Sequence, residues 1–324
     1  MRILSGVVDG VRARVVSATN GLFSHGPYPL ADTLSYPGDP GLFGPRSISW
    51  RVIGDSAVFI GGIRALLVQA AHPEVAAGVA DHSRYRHDPL GRLSRTAAYV
   101  TATTFGATAE VEQAIATVRR RHRPVRGLSS RGETYDADAP DLAAWVHNSL
   151  AESFLVAYEV YGSRALDPAD ADRYALEQTR LGALHEATPL PASAAELSAW
   201  IAGHPRLAPS PGQREAIEFL RRPPLPFGVR AVYGFLFRAA AATLPPRIRG
   251  IVGVRAWPGA VLTGRVVTRA MRAALGSSPS WRLALLRVGA PEPDDVTFRQ
   301  PLPPEAEALR AARAAGTSAP SRTA

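Results

Sequence analysis

Along the 324 residues, apolar side chains recur at intervals of three and four and seldom alternate. That spacing belongs to helices that turn about 100° per residue and bury one face. The most apolar run, Ala57 to Ala71, reads as one helix, and His72-Pro73 punctuates it. Pro73 suits the first position of a second, short helix through Ala80, because its missing N–H is unneeded there. A third helix is expected from Leu90 to Thr104, stopped at Gly106, and a fourth from Thr108 to His122, closed by Pro124. Asp138-Ala-Pro-Asp141 opens a long helix to Tyr161, which Gly162 ends. Ser193-x-x-Glu196 and Ser210-Pro-x-Gln213 have the form of capping boxes, and helical spacing returns near Val229 to Thr243 and Val261 to Leu275.

Strand signals are weak, and there is no βαβ series, glycine-rich phosphate loop or internal repeat. The expected fold class is all-α: a single large helical domain with extra helices. Residues 20–48 are rich in Gly, Pro and Ser and read as an extended N-terminal arm. The expected boundaries are an arm over 1–47, a helical domain over 48–285 and a C-terminal extension over 286–324. That extension, Ala/Pro/Arg-rich from Pro301, is expected to be partly disordered, with one short exposed helix.

Composition narrows the chemistry. The formal charge of +9 is carried wholly by arginine, since the chain has no lysine. No stripe of interleaved basic and aromatic residues accompanies it, so no nucleic-acid partner is expected. The chain has no cysteine, which excludes disulfides, thiolate metal sites, a thiolate-ligated haem and covalent c-type attachment. Any metal or cofactor must be held by His, carboxylate, Tyr or Met. No apolar run is long enough to span a bilayer, and the first ten residues lack a signal-peptide core. A cytoplasmic location is expected, with peripheral membrane contact left open.

In the fourth helix Val111, Ala114, Ile115, Val118 and His122 share one narrow face. His122 therefore points with the aliphatic residues, as a ligand to a flat hydrophobic cofactor would, or as a core histidine bonded to a carbonyl. In the third helix Arg92, Thr96, Tyr99 and Thr103 share a face. A guanidinium and a hydroxyl one turn apart can orient oxygen, a carbonyl or a propionate. His147, at the edge of the stripe Leu142, Val146, Leu150, Phe154 and Tyr161, is a second candidate ligand. Ser149, Glu152 and Ser153 beside it make a polar relay or face water. His82 and His87, with Asp81 and Asp88, form a further cluster; an i, i+5 pair diverges on a regular helix, so a non-haem metal site there needs a break. His72 reads as a helix-entry residue.

Several blocks in order resemble the oxygenase family of fungal MpaB and the latex-clearing rubber oxygenases. They are the run from Gly54 through His72-Pro73, then Asp81-His82-Ser83, Asp88-Pro89, Gly91-Arg92-Leu93 and Arg95-Thr96, then Val118 to Gly127 around His122, then Trp145-Val-His147-Asn-Ser-Leu150. The resemblance is close over residues 48–162 and looser afterwards. It implies a globin-like helical core, a non-covalent haem b and dioxygen chemistry on carbon–carbon double bonds. It makes His122 the iron ligand, with His147 as the alternative. It also places Arg92 and Thr96 near the haem, with Arg95 where some rubber oxygenases carry a distal lysine. That departure, with no secretion signal, points to a small lipophilic, isoprenoid-like substrate rather than an extracellular polymer. The pocket is expected to be walled by the 57–71 helix, with O2 as co-substrate and an electron donor left open. The alternatives are a non-catalytic haem or gas-binding protein and a non-haem metal oxidoreductase. The sequence carries no signal of oligomeric state.

Overall fold

The computed structural model describes residues 28–315 continuously, with single positions at 16, 21 and 25 before them. The start of the expected arm and the end of the tail lie outside the described residues. The structure is 64% helical, with 14 α-helices among the described residues, and is all-α. The sole paired strands among the described residues are β1 (Arg126–Leu128) and β2 (Thr134–Asp136), an antiparallel hairpin with Gly127 opposite Tyr135.

The central axis is α6 (Pro140–Tyr161), 22 residues long and buried on several sides. It packs most extensively on α2 (Val58–Ala70). Gly61 permits that approach, because a Cβ there would lie 2.6 Å from the Phe154 ring. Ile60, Ile63 and Leu67 of α2 join Trp145, Ala157 and Tyr161 of α6 in the main core. The core is completed by α10 (Phe227–Ala242) through Leu236 and Ala239, and by α11 (Pro246–Val252) through Ile248 and Val252.

A charge interrupts this apolar contact. Arg64 and Glu152 are 1% and 2% exposed and pair with each other. The guanidinium also donates to Ser153 Oγ at 2.8 Å and to the Thr243 carbonyl at 3.3 Å. Glu152 thus faces Arg64 in the core and not water.

A second core gathers α1 (Ile48–Gly54), the following α4 (Pro89–Phe105), α7 (Pro168–Leu184), α13 (Pro279–Val288) and α14 (Pro304–Ala314) around Trp50, Phe105, Tyr174, Trp281 and Ala306. Leu30 and Thr33, in the described part of the expected arm, are buried against it. Arg287 of α13 holds that segment by donating to Thr33 Oγ1 at 2.6 Å and to the Asp39 carbonyl at 2.8 Å.

The remaining helices are α3 (Pro73–His82), α5 (Thr108–His122), α8 (Ala194–Gly203), α9 (Pro211–Arg221) and α12 (Ala260–Leu275). His72 occupies the N-cap position of α3 with Pro73 in its first turn, as the sequence predicts. Ser210 and Gln213 form a reciprocal capping box. Ser193 caps Glu196, whose carboxylate turns instead to the Ala192 N–H. Four helices, α1, α7, α11 and α13, go beyond the sequence reading. Among the described residues no single helix is long and apolar enough to cross a membrane.

Candidate cofactor site at the end of the α4–α5 hairpin

Gly106 and Ala107 join α4 to α5, and the two helices pack back along each other. Tyr99, six residues before the end of α4, packs with Val111 and Ile115 of α5 and Leu181 of α7. At 1.5 Å per residue, seven residues further along each helix bring Arg92 and His122 to about the same level, at the open end of the hairpin.

The stripe Arg92, Thr96, Tyr99 and Thr103 predicted from spacing exists. Its inner half is buried: Thr103 donates to the Tyr99 carbonyl at 2.8 Å, and the Tyr99 hydroxyl lies 2.7 Å from His185 Nε2. Its outer half is open. The Thr96 hydroxyl is exposed and donates to the Arg92 carbonyl at 3.1 Å. Arg92 is half-buried, its guanidinium carbon 5.7 Å from the centre of the Tyr85 ring. Burial works against that charge, and the ring's electron-rich face works for it. Arg95 is exposed and pairs with Asp88 at 3.0 Å.

His122 ends α5, half-buried, and its ring makes no hydrogen bond to the described residues. Burial pushes it below the ordinary imidazole pKa, while nearby Asp138 acts in the opposite sense. A neutral ring with unengaged nitrogens is a competent metal ligand. His185, just after α7, is pushed down to about 4, first by burial and then by the neighbouring His122 and Arg119. Arg119 pairs with Glu186 at 2.6 Å, tying the end of α5 to the turn that carries His185. The hairpin after His122 is fastened to α3: Ser129 and Arg131 bond Glu74, and the Tyr135 hydroxyl donates to Asp81 at 2.6 Å.

The other histidines are occupied or apart. His147 is buried against Gly182 and donates from Nε2 to the Gln178 carbonyl at 2.9 Å. Burial, then His185, lowers its pKa to about 4. His82 is exposed and bonds the Arg126 carbonyl at 3.2 Å, and His87 is exposed too. His72 and His204 lie in an aromatic box with Trp145 and Trp200, their rings 5.3 Å apart. Thus Arg92, Thr96 and His122 come to one end of one hairpin. Arg95 stands at its exposed edge, and His147 sits behind it between α6 and α7. The 57–71 helix expected to wall a pocket is packed on α6 and α10. Sequence reading missed Asp138 and His185 as neighbours of His122. His185 follows a helix whose apolar periodicity is weak.

Two cavities, of about 310 and 460 Å³, lie elsewhere: one beside Arg51, Asp55 and Arg272, the other between α9 and α11. Among the described residues no three His or carboxylate side chains converge as a metal cage. The donor set at the hairpin end fits haem b, whose porphyrin supplies four nitrogens and needs one or two ligands from the protein.

The fold is all-α, with His122 at the end of α5 and Arg92 in the first turn of α4 at the same end of the hairpin. The family model described as ER-bound oxygenase mpaB/B′/rubber oxygenase, catalytic domain, matches residues 50–275, and the chain belongs to that family of oxygenase catalytic domains. No curated protein and no solved structure matches the chain.

Proposed function

We propose that this chain is a haem-b-dependent oxygenase acting on a small lipophilic, isoprenoid-like substrate, with His122 as the axial iron ligand. The observation that carries the reading is the half-buried His122 ring at the end of α5, without a hydrogen bond among the described residues; helix rise puts Arg92 at about the same level. Membership of an oxygenase family supports the reaction class. His122 is favoured over His147 because the latter's Nε2 is engaged with a backbone carbonyl. When bound, haem would supply the iron at which dioxygen is activated.

The chain's own groups have distinct tasks. Burial keeps His122 neutral, so its ring nitrogen is free to bind a metal. Nearby Asp138 favours positive charge on that ring. Arg92 offers N–H donors and a fixed positive charge, and Thr96 a hydroxyl, to a polar oxygen species or a propionate. Arg95, held by Asp88, sets charge at the rim. The exposed Leu93 on the same helix offers an apolar contact to a lipophilic substrate.

The test is oxygen uptake by the haem-loaded protein with and without a small lipophilic alkene. Substrate-stimulated uptake that falls at least about ten-fold in Arg92→Ala, with haem retained, is the expected result. Uptake indifferent to every such alkene, with reversible O2 binding, would make the chain a gas-binding protein and refute the oxygenase reading.

A further inference from the structure

The positive charge of this chain is concentrated in one stretch. Between Glu218 and Glu292 there is no acidic residue and there are 12 arginines, whereas the rest of the chain has 25 arginines against 28 acidic residues. Some of the 12 serve the fold: Arg272 pairs with Asp55, Arg282 with Glu292, and Arg287 is buried. Arg230, Arg238, Arg255, Arg265 and Arg269 instead face outward.

The same surface exposes large apolar side chains. Phe227 and Phe235 on α10 are 81% and 38% exposed, Trp257 in the turn before α12 is 52%, and Leu262 and Val266 on α12 are 68% and 57%. The Arg238 guanidinium carbon lies 5.9 Å from the Phe235 ring centre and 5.8 Å from that of Trp257, joining α10 to the turn. α12 packs along α10, and Leu262, Arg265, Val266 and Arg269 form its outward stripe at helical spacing. Monomeric proteins rarely leave such a patch without a partner.

We propose that this face, formed by the outward side of α10, the turn carrying Trp257 and the outer stripe of α12, docks on an anionic phospholipid bilayer. Guanidinium groups match lipid phosphates and carboxylates, aromatic rings suit the headgroup level, and Leu262 and Val266 need acyl chains as partners. A phosphodiester backbone would satisfy the arginines but leave those aliphatic side chains in water, which favours lipid over nucleic acid. The lack of acidic residues in the stretch lowers the repulsion that this segment offers to an anionic surface. The inference is independent of the haem assignment.

The experiment is flotation of the full chain, as purified, with phosphatidylcholine vesicles containing or lacking phosphatidylserine, plus quenching of tryptophan fluorescence by brominated acyl chains. Binding at least about ten-fold stronger to the serine-lipid vesicles is expected, fading with salt, with quenching that disappears in Trp257→Ala. The double variant Leu262→Ser/Val266→Ser, at exposed positions, should keep the parent's circular dichroism and lose about ten-fold or more in vesicle affinity. Arg230→Gln/Arg238→Gln should abolish the preference for the anionic vesicles. No binding to either vesicle, binding unaltered in all these variants, or capture of duplex DNA in place of vesicles would each overturn the proposal.

Discussion

Replacing Arg64 with Met isolates the buried ion pair at the α2–α6 contact. The methionine keeps helix propensity and much of the side-chain volume in a 13-residue helix, but it removes every partner that the arginine gives Glu152. Both side chains are at most 2% exposed, and Arg64 reaches the carboxylate through both of its terminal nitrogens. Breaking a buried pair from one side leaves an uncompensated charge, with a typical loss of about 3–5 kcal/mol. The Glu159 carboxyl, already raised in pKa by burial and by Glu152, offers no relief. At roughly 2–4 °C per kcal/mol for a chain of this size, the midpoint of thermal unfolding should fall by on the order of 10 °C. Arg64→Met/Glu152→Met removes the stranded charge and should recover at least about half of that loss. Circular dichroism melts and urea titrations of the four proteins of this cycle supply the numbers. A single-variant loss below about 1 kcal/mol, or a double variant no better than Arg64→Met, would refute the reasoning.

Other consequences are as direct. His72 and His147, both buried, are held near pKa 4 against an ordinary 6.5. The unfolded chain therefore binds protons there that the folded chain does not, so stability is full above about pH 6.5 and falls as pH drops toward 4. Denaturation from pH 7 to 4.5 should show it, with a slope of up to about 1.4 kcal/mol per pH unit from each ring; a flat profile would contradict the burial argument. Gly61→Val should lower stability by about 1–3 kcal/mol by forcing α2 off Phe154, and a neutral urea midpoint would deny that close approach. Glu74→Gln should loosen the β1–β2 hairpin, because Glu74 accepts from Ser129 and three times from Arg131. Faster amide exchange at Gly127 and Tyr135 would support this, and unchanged exchange would count against it.

Much of the fold was legible because long helices carry their own signals. The α4 and α5 pair announced itself through Asp88-Pro89, Gly106 and the Val111–Ile115 periodicity, and those helices bring Arg92, Thr96 and His122 to one end. The gaps have physical causes. In α7 the polar run Pro168-Ala-Asp-Ala-Asp dilutes the apolar face, although Asp167 caps the Asp170 N–H and Pro168 starts the first turn. Without α7, neither the bond that engages His147 nor the place of His185 can be seen. The β hairpin has strands of only three residues, too short for an alternating pattern, and is held by Glu74 and Asp81 from another helix. Arg64 and Glu152 look like surface residues until α2 and α6 are packed together, since their pairing spans 88 positions.

The bond between His122 and haem iron is the assignment from which the chemistry follows. Its most direct measurement is the absorption spectrum of the wild-type chain, His122→Ala and His147→Ala after identical loading with haemin and gel filtration. A Soret band in the wild-type and His147→Ala proteins and its loss from folded His122→Ala is the predicted result. An undiminished band in His122→Ala, or none in the wild type, would contradict it.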